Sequence, residues 1–288
     1  MDLDLSSVCS PSRSRRSLLP HCAAPIMPAS SLPQFNPLRI RSYILRLPFC
    51  TKLLVAAIVG LWAAAIPFPW IRDAGRLEPA KMDLTQMHRL NLFPVLHWNF
   101  LHMIFNLIAV TPLVERFESE YGTLVTLALF TGPFGTIPGG IYTLLEKFVL
   151  RSNTAVMGAS VWVFLLLAAE VMKTSKTNPS FSVGPYKIPT WTTPLILIVF
   201  TSILVPYVSL VGHLCGAALG YLWATGWIKF LVPHEKILRW IETKLNLLGR
   251  LPHYVSVDQK TYGRYGVLPT TSIPLGNRSP DGGQRLGP

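Results

Sequence analysis

Apolar residues gather in stretches too long for the helices of a soluble core, with polar residues mostly in the short segments between them. A bilayer core takes roughly 20 mainly apolar residues per helical span, with about 17 as a lower limit. Six stretches meet that length: Leu53 to Trp70, bounded by Lys52 and Arg72; Trp98 to Val114, stopped by Glu115 and Arg116; Thr123 to Leu145; Thr154 to Met172; Thr193 to Val211; and Gly212 to Val232. The third carries Gly132-Pro133, Gly135, Pro138 and Gly139-Gly140, which predicts a kinked helix packed tightly against its neighbours. The last two are joined almost without a loop. The pattern predicts an all-α polytopic membrane domain over residues 50–232, a bundle of six transmembrane helices.

The flanks read differently. Residues 1–45 are rich in Ser and Pro, with a basic cluster at Arg13, Arg15 and Arg16 and no apolar stretch that would make a cleavable signal peptide. This predicts a disordered basic cytosolic tail, with the first span acting as an uncleaved signal anchor. After the last span, residues 233–250 set Ile237, Leu238, Ile241, Leu245 and Leu248 at helical spacing opposite Lys236, Arg239 and Lys244. An amphipathic helix on the inner membrane surface fits that spacing, and packing within the bundle is the alternative. Residues 251–288, dominated by Gly, Pro, Ser and Thr, read as a second disordered cytosolic tail.

Half of the 288 residues are hydrophobic and only 14% are charged, which excludes an ordinary soluble domain. The net charge of +12 raises nucleic acid as a partner, but its distribution points to a membrane instead. Most of the 26 lysines and arginines fall in the two tails and in the loops that share their side, so the positive-inside rule puts both termini in the cytosol. Cys9, Cys22, Cys50 and Cys215 have no C-x-x-C spacing, and no structural disulfide is expected.

Spans two, four and six run in one direction, so their early residues share a depth. His102, Ser160 and His213 lie near the starts of those spans, on the order of 10 Å below the outer surface at a rise of about 1.5 Å per residue. Asn106 falls one turn below His102 on the same face. Gly212, Gly216 and Gly220 form a stripe at i, i+4 and i+8 that permits close helix approach, and Gly158 with Ala159 offers a matching small surface. A serine hydroxyl beside an imidazole is an activated nucleophile. With no carboxylate away from the span ends, a Ser160/His213 dyad is the consistent reading, and His102, Asn106 and the Ser160 backbone N–H serve as oxyanion donors. A lone membrane serine is usually structural, and a lone histidine can serve helix packing or a proton path, so the combination carries the inference. His88 and His97, near the outer interface, read as solvated or loop-organising, and Trp70 and Trp98 as interfacial anchors. The chemistry needs no metal or cofactor.

These residues resemble the rhomboid intramembrane serine proteases over roughly residues 50–232. The family's histidine followed four residues later by asparagine is matched by His102 and Asn106, its Gly-x-Ser element by Gly158-Ala159-Ser160, and its His-x-x-Gly-x-x-x-Gly element by His213 to Gly220. The resemblance implies that Ser160 is the nucleophile, His213 the general base, and His102 and Asn106 the oxyanion side chains. It also makes Arg89 the organiser of the first loop, with His88 replacing that arginine's usual tryptophan partner. Where many relatives have glycine after the nucleophile, this chain has Val161, which adds bulk beside Ser160. The six-span core and basic tails resemble the small fungal rhomboids of the secretory pathway, implying a Golgi or related endomembrane location. The implied partners are transmembrane protein substrates within the lipid bilayer. Two rival readings follow from the same residues: a catalytically weak or inactive rhomboid-like protein that binds and routes membrane clients, and a small proton-coupled transporter built on the membrane histidines.

Overall fold

The computed structural model describes residues 37–205 and 208–261. Most of both expected tails lies outside the described residues. The described residues from Ser42 onward form one compact unit. In chain order the helices are α1 (Pro37–Arg46), α2 (Phe49–Ala64), α3 (Trp70–Gly75), α4 (Arg89–Leu92), α5 (Phe100–Tyr121), α6 (Thr123–Phe130), α7 (Pro133–Leu144) and α8 (Ser160–Thr177). An antiparallel hairpin follows, β1 (Ser180–Val183) and β2 (Tyr186–Pro189), with Val183 opposite Tyr186 across the Gly184-Pro185 turn. The chain continues through α9 (Thr193–Leu204), α10 (Leu210–Thr225), α11 (Glu235–Leu245) and α12 (Leu247–Arg250).

Two helices among the described residues are long and apolar enough to cross a membrane: α5, and the run Thr123–Leu150 that joins α6, α7 and a terminal π turn. A third is added if α10 and the segment from Lys229 to Leu245, bent by 90°, count as one span. α2 and the stretch Thr190–Leu204 are shorter apolar helices. The six apolar runs of the sequence therefore do not translate into six helices of spanning length, because several runs include flanking turns. The first run's helix ends at Ala64 rather than Trp70, and the fifth run's at Leu204 rather than Val211. The second run errs the other way. Its helix continues through Glu115 and Arg116 to Tyr121, so Glu118 lies inside a helix and not after one.

The expected kink in the third run is a break at Thr131-Gly132, and its glycines receive the first loop. A Cβ on Gly135 would meet the Leu90 carbonyl at 2.8 Å, and one on Gly139 would meet Phe93 and Leu90 at 3.0 and 3.1 Å. That close approach seats α4 against α7.

α5, α8 and α10 run in one direction, as contacts at both ends establish. Near their starts Gly158 abuts His102, and near their ends Arg116 and Lys173 pair with Glu170, with Trp223 packed on Tyr121 at a ring separation of 5.2 Å. The core between these helices and the α6–α7 run is aromatic. Phe117 lies within 4.4–5.8 Å of Tyr121, Phe130, Phe134 and Trp223, and Phe130 lies 5.1 Å from Trp162. The buried indole N–H groups are satisfied: Trp162 donates to the Phe134 carbonyl and Trp223 to the Tyr121 hydroxyl.

Beside this core a single carboxylate joins three helices. Glu118 is fully buried and accepts from the Cys50 and Thr51 amides at 2.8 and 2.7 Å, the Thr51 hydroxyl at 2.7 Å and the Thr123 hydroxyl at 2.6 Å. The chain beyond α12 then folds back here. Thr123 N–H donates to the Val255 carbonyl, Val255 N–H to the Thr123 hydroxyl, and Phe49 N–H to the His253 carbonyl. Residues 251–261, expected to belong to a disordered tail, thus form a strap under the helix ends. Their composition is loop-like, but their backbone groups are taken up by neighbouring elements.

Candidate active site

Each candidate side chain sits at the start of its helix. Asn99 caps α5, its side chain accepting from the His102 N–H at 2.8 Å, and this fixes His102 in the first turn. Asn106, one turn on, is nearly buried and donates one side-chain N–H to the His102 carbonyl at 2.8 Å. Ser160 is the first residue of α8, and His213 lies in the first turn of α10, which Ser209 caps by accepting from the Gly212 N–H.

The approach to Ser160 is set by Gly158. Its φ of +121° lies in a region L side chains rarely adopt, and a Cβ there would be 2.7 and 2.8 Å from Cε1 and Nε2 of His102 and 3.7 Å from the Asn106 amide nitrogen. The backbone leading into Ser160 therefore rests on both proposed oxyanion side chains. As the leading turn of a helix, the Ser160 and Val161 amides point outward without intrahelical acceptors.

The connection carrying Gly158 is pinned along its length. Leu77 and Val156 exchange backbone hydrogen bonds of 3.0 and 2.9 Å, and Gly158 N–H donates to the Phe93 carbonyl at 2.8 Å. Tyr142 donates to the Thr154 carbonyl at 2.7 Å, and Ser152 donates to Glu146. His97 supplies the last tie. It is fully buried rather than solvated; Nδ1 faces the Val95 carbonyl at 3.3 Å, and Nε2 accepts from the Ala159 N–H at 3.2 Å. That pair of contacts holds the ring with its proton on Nδ1. The first loop is in turn organised by Arg89, buried and donating to Gln86, the Asp73 carbonyl and the Arg76 carbonyl, while His88 bonds to the Ala74 carbonyl.

His213 reaches the site through the glycine stripe. A Cβ on Gly216 would lie 2.3 Å from the Val161 carbonyl oxygen, and one on Gly220 would lie 2.0 Å from that of Leu165. The matching surface on α8 is therefore the backbone of Val161 and Leu165, not Gly158 and Ala159. At Gly212, the outer member of the stripe, the nearest atoms to an added Cβ belong to Ser209 and Tyr142 and lie 3.3–4.0 Å away. Equal four-residue steps on both helices make the packing parallel and in register. His213 lies one turn above Gly216, and its ring packs tilted against Phe164, with centroids 4.6 Å apart and 42° between the ring planes. Phe164 is one turn below Ser160 on the same face of α8. His213 is buried, and its Nδ1 has no hydrogen-bond partner among the described residues. No direct Ser160–His213 hydrogen bond is among the described contacts. The bulk anticipated from Val161 is absorbed elsewhere: its side chain is buried in the main apolar cluster with Trp162 and Leu165.

Comparisons with known proteins agree with this constellation. Residues 84–230 match the rhomboid domain. The chain is 56% identical over 261 residues to Rhomboid-type serine protease B of Aspergillus fumigatus, covering 88% of this chain and 96% of the relative. It is 51% identical over 277 residues to Rhomboid-type serine protease 2 of Neurospora crassa, covering 92% and 100%, and 31% identical over 246 residues to the Saccharomyces cerevisiae protein of that description, covering 82% and 93%. A serine at a helix start, a buried histidine packed on Phe164 of the same helix and this degree of identity converge: the chain belongs to the rhomboid family and is a multi-pass membrane serine protease of the intramembrane type.

Proposed function

We propose that Ser160 and His213 form a catalytic dyad that hydrolyses peptide bonds in the transmembrane segments of other proteins, near their outer or lumenal ends. The observation that carries this reading is the in-register packing of α10 on α8 through Gly216 and Gly220, with the His213 ring packed against Phe164, which lies one turn below Ser160. In the proposed reaction the Ser160 hydroxyl oxygen bonds to the scissile carbonyl carbon while His213 takes its proton. The oxyanion accepts from the Ser160 N–H, the remaining Asn106 side-chain N–H and the His102 ring, where one donor is worth about 3 kcal/mol. Collapse breaks the C–N bond, and His213 returns the proton to the leaving amine. Water, giving a proton to His213, then attacks the acyl-enzyme carbonyl; the bond to the Ser160 oxygen breaks, and His213 returns the proton to that oxygen as the carboxylic product leaves.

Six spans with both termini cytosolic complete the reading, supported by the six apolar runs and the basic bias of one side. The catalytic ends of α5, α8 and α10 then face the lumen, in the Golgi or another secretory-pathway membrane. Glycosylation acceptor sites inserted in the first loop and in the Gly184-Pro185 turn test the orientation: modification of the turn but not the loop refutes it.

The decisive experiment for the chemistry is cleavage of a transmembrane substrate by purified protein, with fluorophosphonate labelling alongside. Ser160→Ala abolishes both, and His213→Ala abolishes cleavage. Unchanged cleavage in either variant refutes the dyad.

A further inference from the structure

α11 has three sides, and only two are used. Leu238 and Ile241, at i and i+3, form the stripe that turns toward the bundle, with Leu238 buried in the main apolar cluster and Ile241 half-buried, while Leu245 at the end of the helix is exposed. Glu235, Arg239 and Glu242, at i, i+4 and i+7, form a second stripe taken up by the strap. Glu235 pairs with Lys260, Arg239 pairs with Asp258, and Glu242 accepts from the Tyr254 hydroxyl and the Val257 N–H, both at 2.9 Å. Lys260 also holds the Glu235 carboxyl below its ordinary range.

The third side carries Lys236, Trp240 and Lys244 at i, i+4 and i+8, with Ile237 beside them. Trp240 is 62% exposed and Ile237 55%, and neither lysine pairs with a carboxylate among the described residues. Both acids of the helix are thus committed to the strap, leaving this side basic and apolar together. Its position is also defined. α11 turns away from α10 by 90°, so with α10 crossing the bilayer the helix lies along the membrane plane. At the corner Trp227 and Phe230 are 78% and 79% exposed.

We propose that Lys236, Ile237, Trp240 and Lys244 form a binding face for anionic phospholipid headgroups in the leaflet at the C-terminal end of α10, the cytosolic leaflet in the orientation proposed above. Trp and Ile enter the boundary between headgroup and acyl chain, while the lysine stems lie along apolar surface and carry their ammonium groups to the phosphates. The strap is the second half of the device, because it sequesters the carboxylates that would otherwise repel those lipids.

The test uses the delipidated full-length protein in detergent, titrated with phosphatidylserine or phosphatidylcholine and read by native mass spectrometry. Wild type retains phosphatidylserine in preference to phosphatidylcholine. With about 1 kcal/mol from each lysine near an anionic surface, Lys236→Gln/Lys244→Gln weakens phosphatidylserine retention about 30-fold. Lys176→Gln/Lys187→Gln removes two exposed charges elsewhere and leaves retention unchanged. Equal retention of the two lipids, equal losses in the two double variants, or displacement of phosphatidylserine by equimolar inorganic phosphate overturns the proposal. Because the readout is lipid retention, it stands or falls separately from the catalytic dyad.

Discussion

Gly216→Ala is the sharpest probe of how the site is assembled. The added methyl carbon would start 2.3 Å from the Val161 carbonyl oxygen, 3.1 Å from its carbon and 3.2 Å from Val161 Cα. All three are backbone atoms and cannot rotate away. Ordinary contact begins near 3.4 Å, so α10 and α8 must part by about 1 Å. His213 lies one turn from the new methyl and Ser160 is the residue before Val161, so the separation falls between the proposed nucleophile and base. A misplacement of about 1 Å at reacting groups lowers rates about 100-fold, and overpacking a close contact costs about 1–3 kcal/mol of stability.

The control is Gly140→Ala on α7. It gains the same helix propensity, and its methyl meets nothing within 4 Å. Initial rates of cleavage of a transmembrane substrate and melting temperatures are measured for both variants in one detergent. Gly216→Ala is expected to lose about 100-fold in kcat and to melt below Gly140→Ala, while Gly140→Ala keeps wild-type kcat. If Gly216→Ala cleaves at the wild-type rate, the glycine contact does not set the spacing of Ser160 and His213, and the geometric basis of the dyad fails.

Other outcomes follow from the same geometry. Gly158→Ala drives a methyl into the His102 imidazole and strains a backbone at φ +121°, so kcat should fall at least about 100-fold; near-normal turnover would detach His102 from the oxyanion site. His97→Phe leaves the Ala159 N–H without its acceptor, a loss of about 1–3 kcal/mol that should lower both melting temperature and kcat, with KM little changed; a stable, fully active variant would refute the positioning role. Glu118→Gln turns an NH2 group toward donors and should destabilise by about 3 kcal/mol or more, measured as a lowered melting temperature. For Glu235 the folded pKa is depressed by Lys260, so its stabilisation is present above the unfolded value and is lost as pH falls through the folded one. Lys260→Met should therefore melt slightly below wild type at neutral pH, by at most about 1 kcal/mol for a pair whose carboxylate is exposed, and converge with it in acid.

The residues legible in the sequence share one property: each breaks a rule of its surroundings. Ser160, His213, His102 and Asn106 are polar groups in apolar spans, and Gly212, Gly216 and Gly220 are helix interiors without side chains. A stripe on one helix does not name its partner, which is why Val161 and Leu165 emerge only from the packing. His97 is illegible for a related reason: its job is to accept one N–H from a residue 62 positions away, and no periodicity records that. Glu118 hides because a hydropathy reading stops at the first charges, Glu115 and Arg116, whereas the helix runs on as long as its backbone is paired. The residues missed are those that hold groups already satisfied. Glu118, the strap and the Phe117, Tyr121 and Trp223 rings fasten the ends of the helices far from Ser160, while around Ser160 the ties include small-residue contacts and single hydrogen bonds through the first loop. That division predicts a division of phenotype: substitutions at the strap end should register chiefly in melting temperature, and substitutions around Gly158 and Gly216 chiefly in rate, since there displacements of about 1 Å decide whether the proposed nucleophile and base meet.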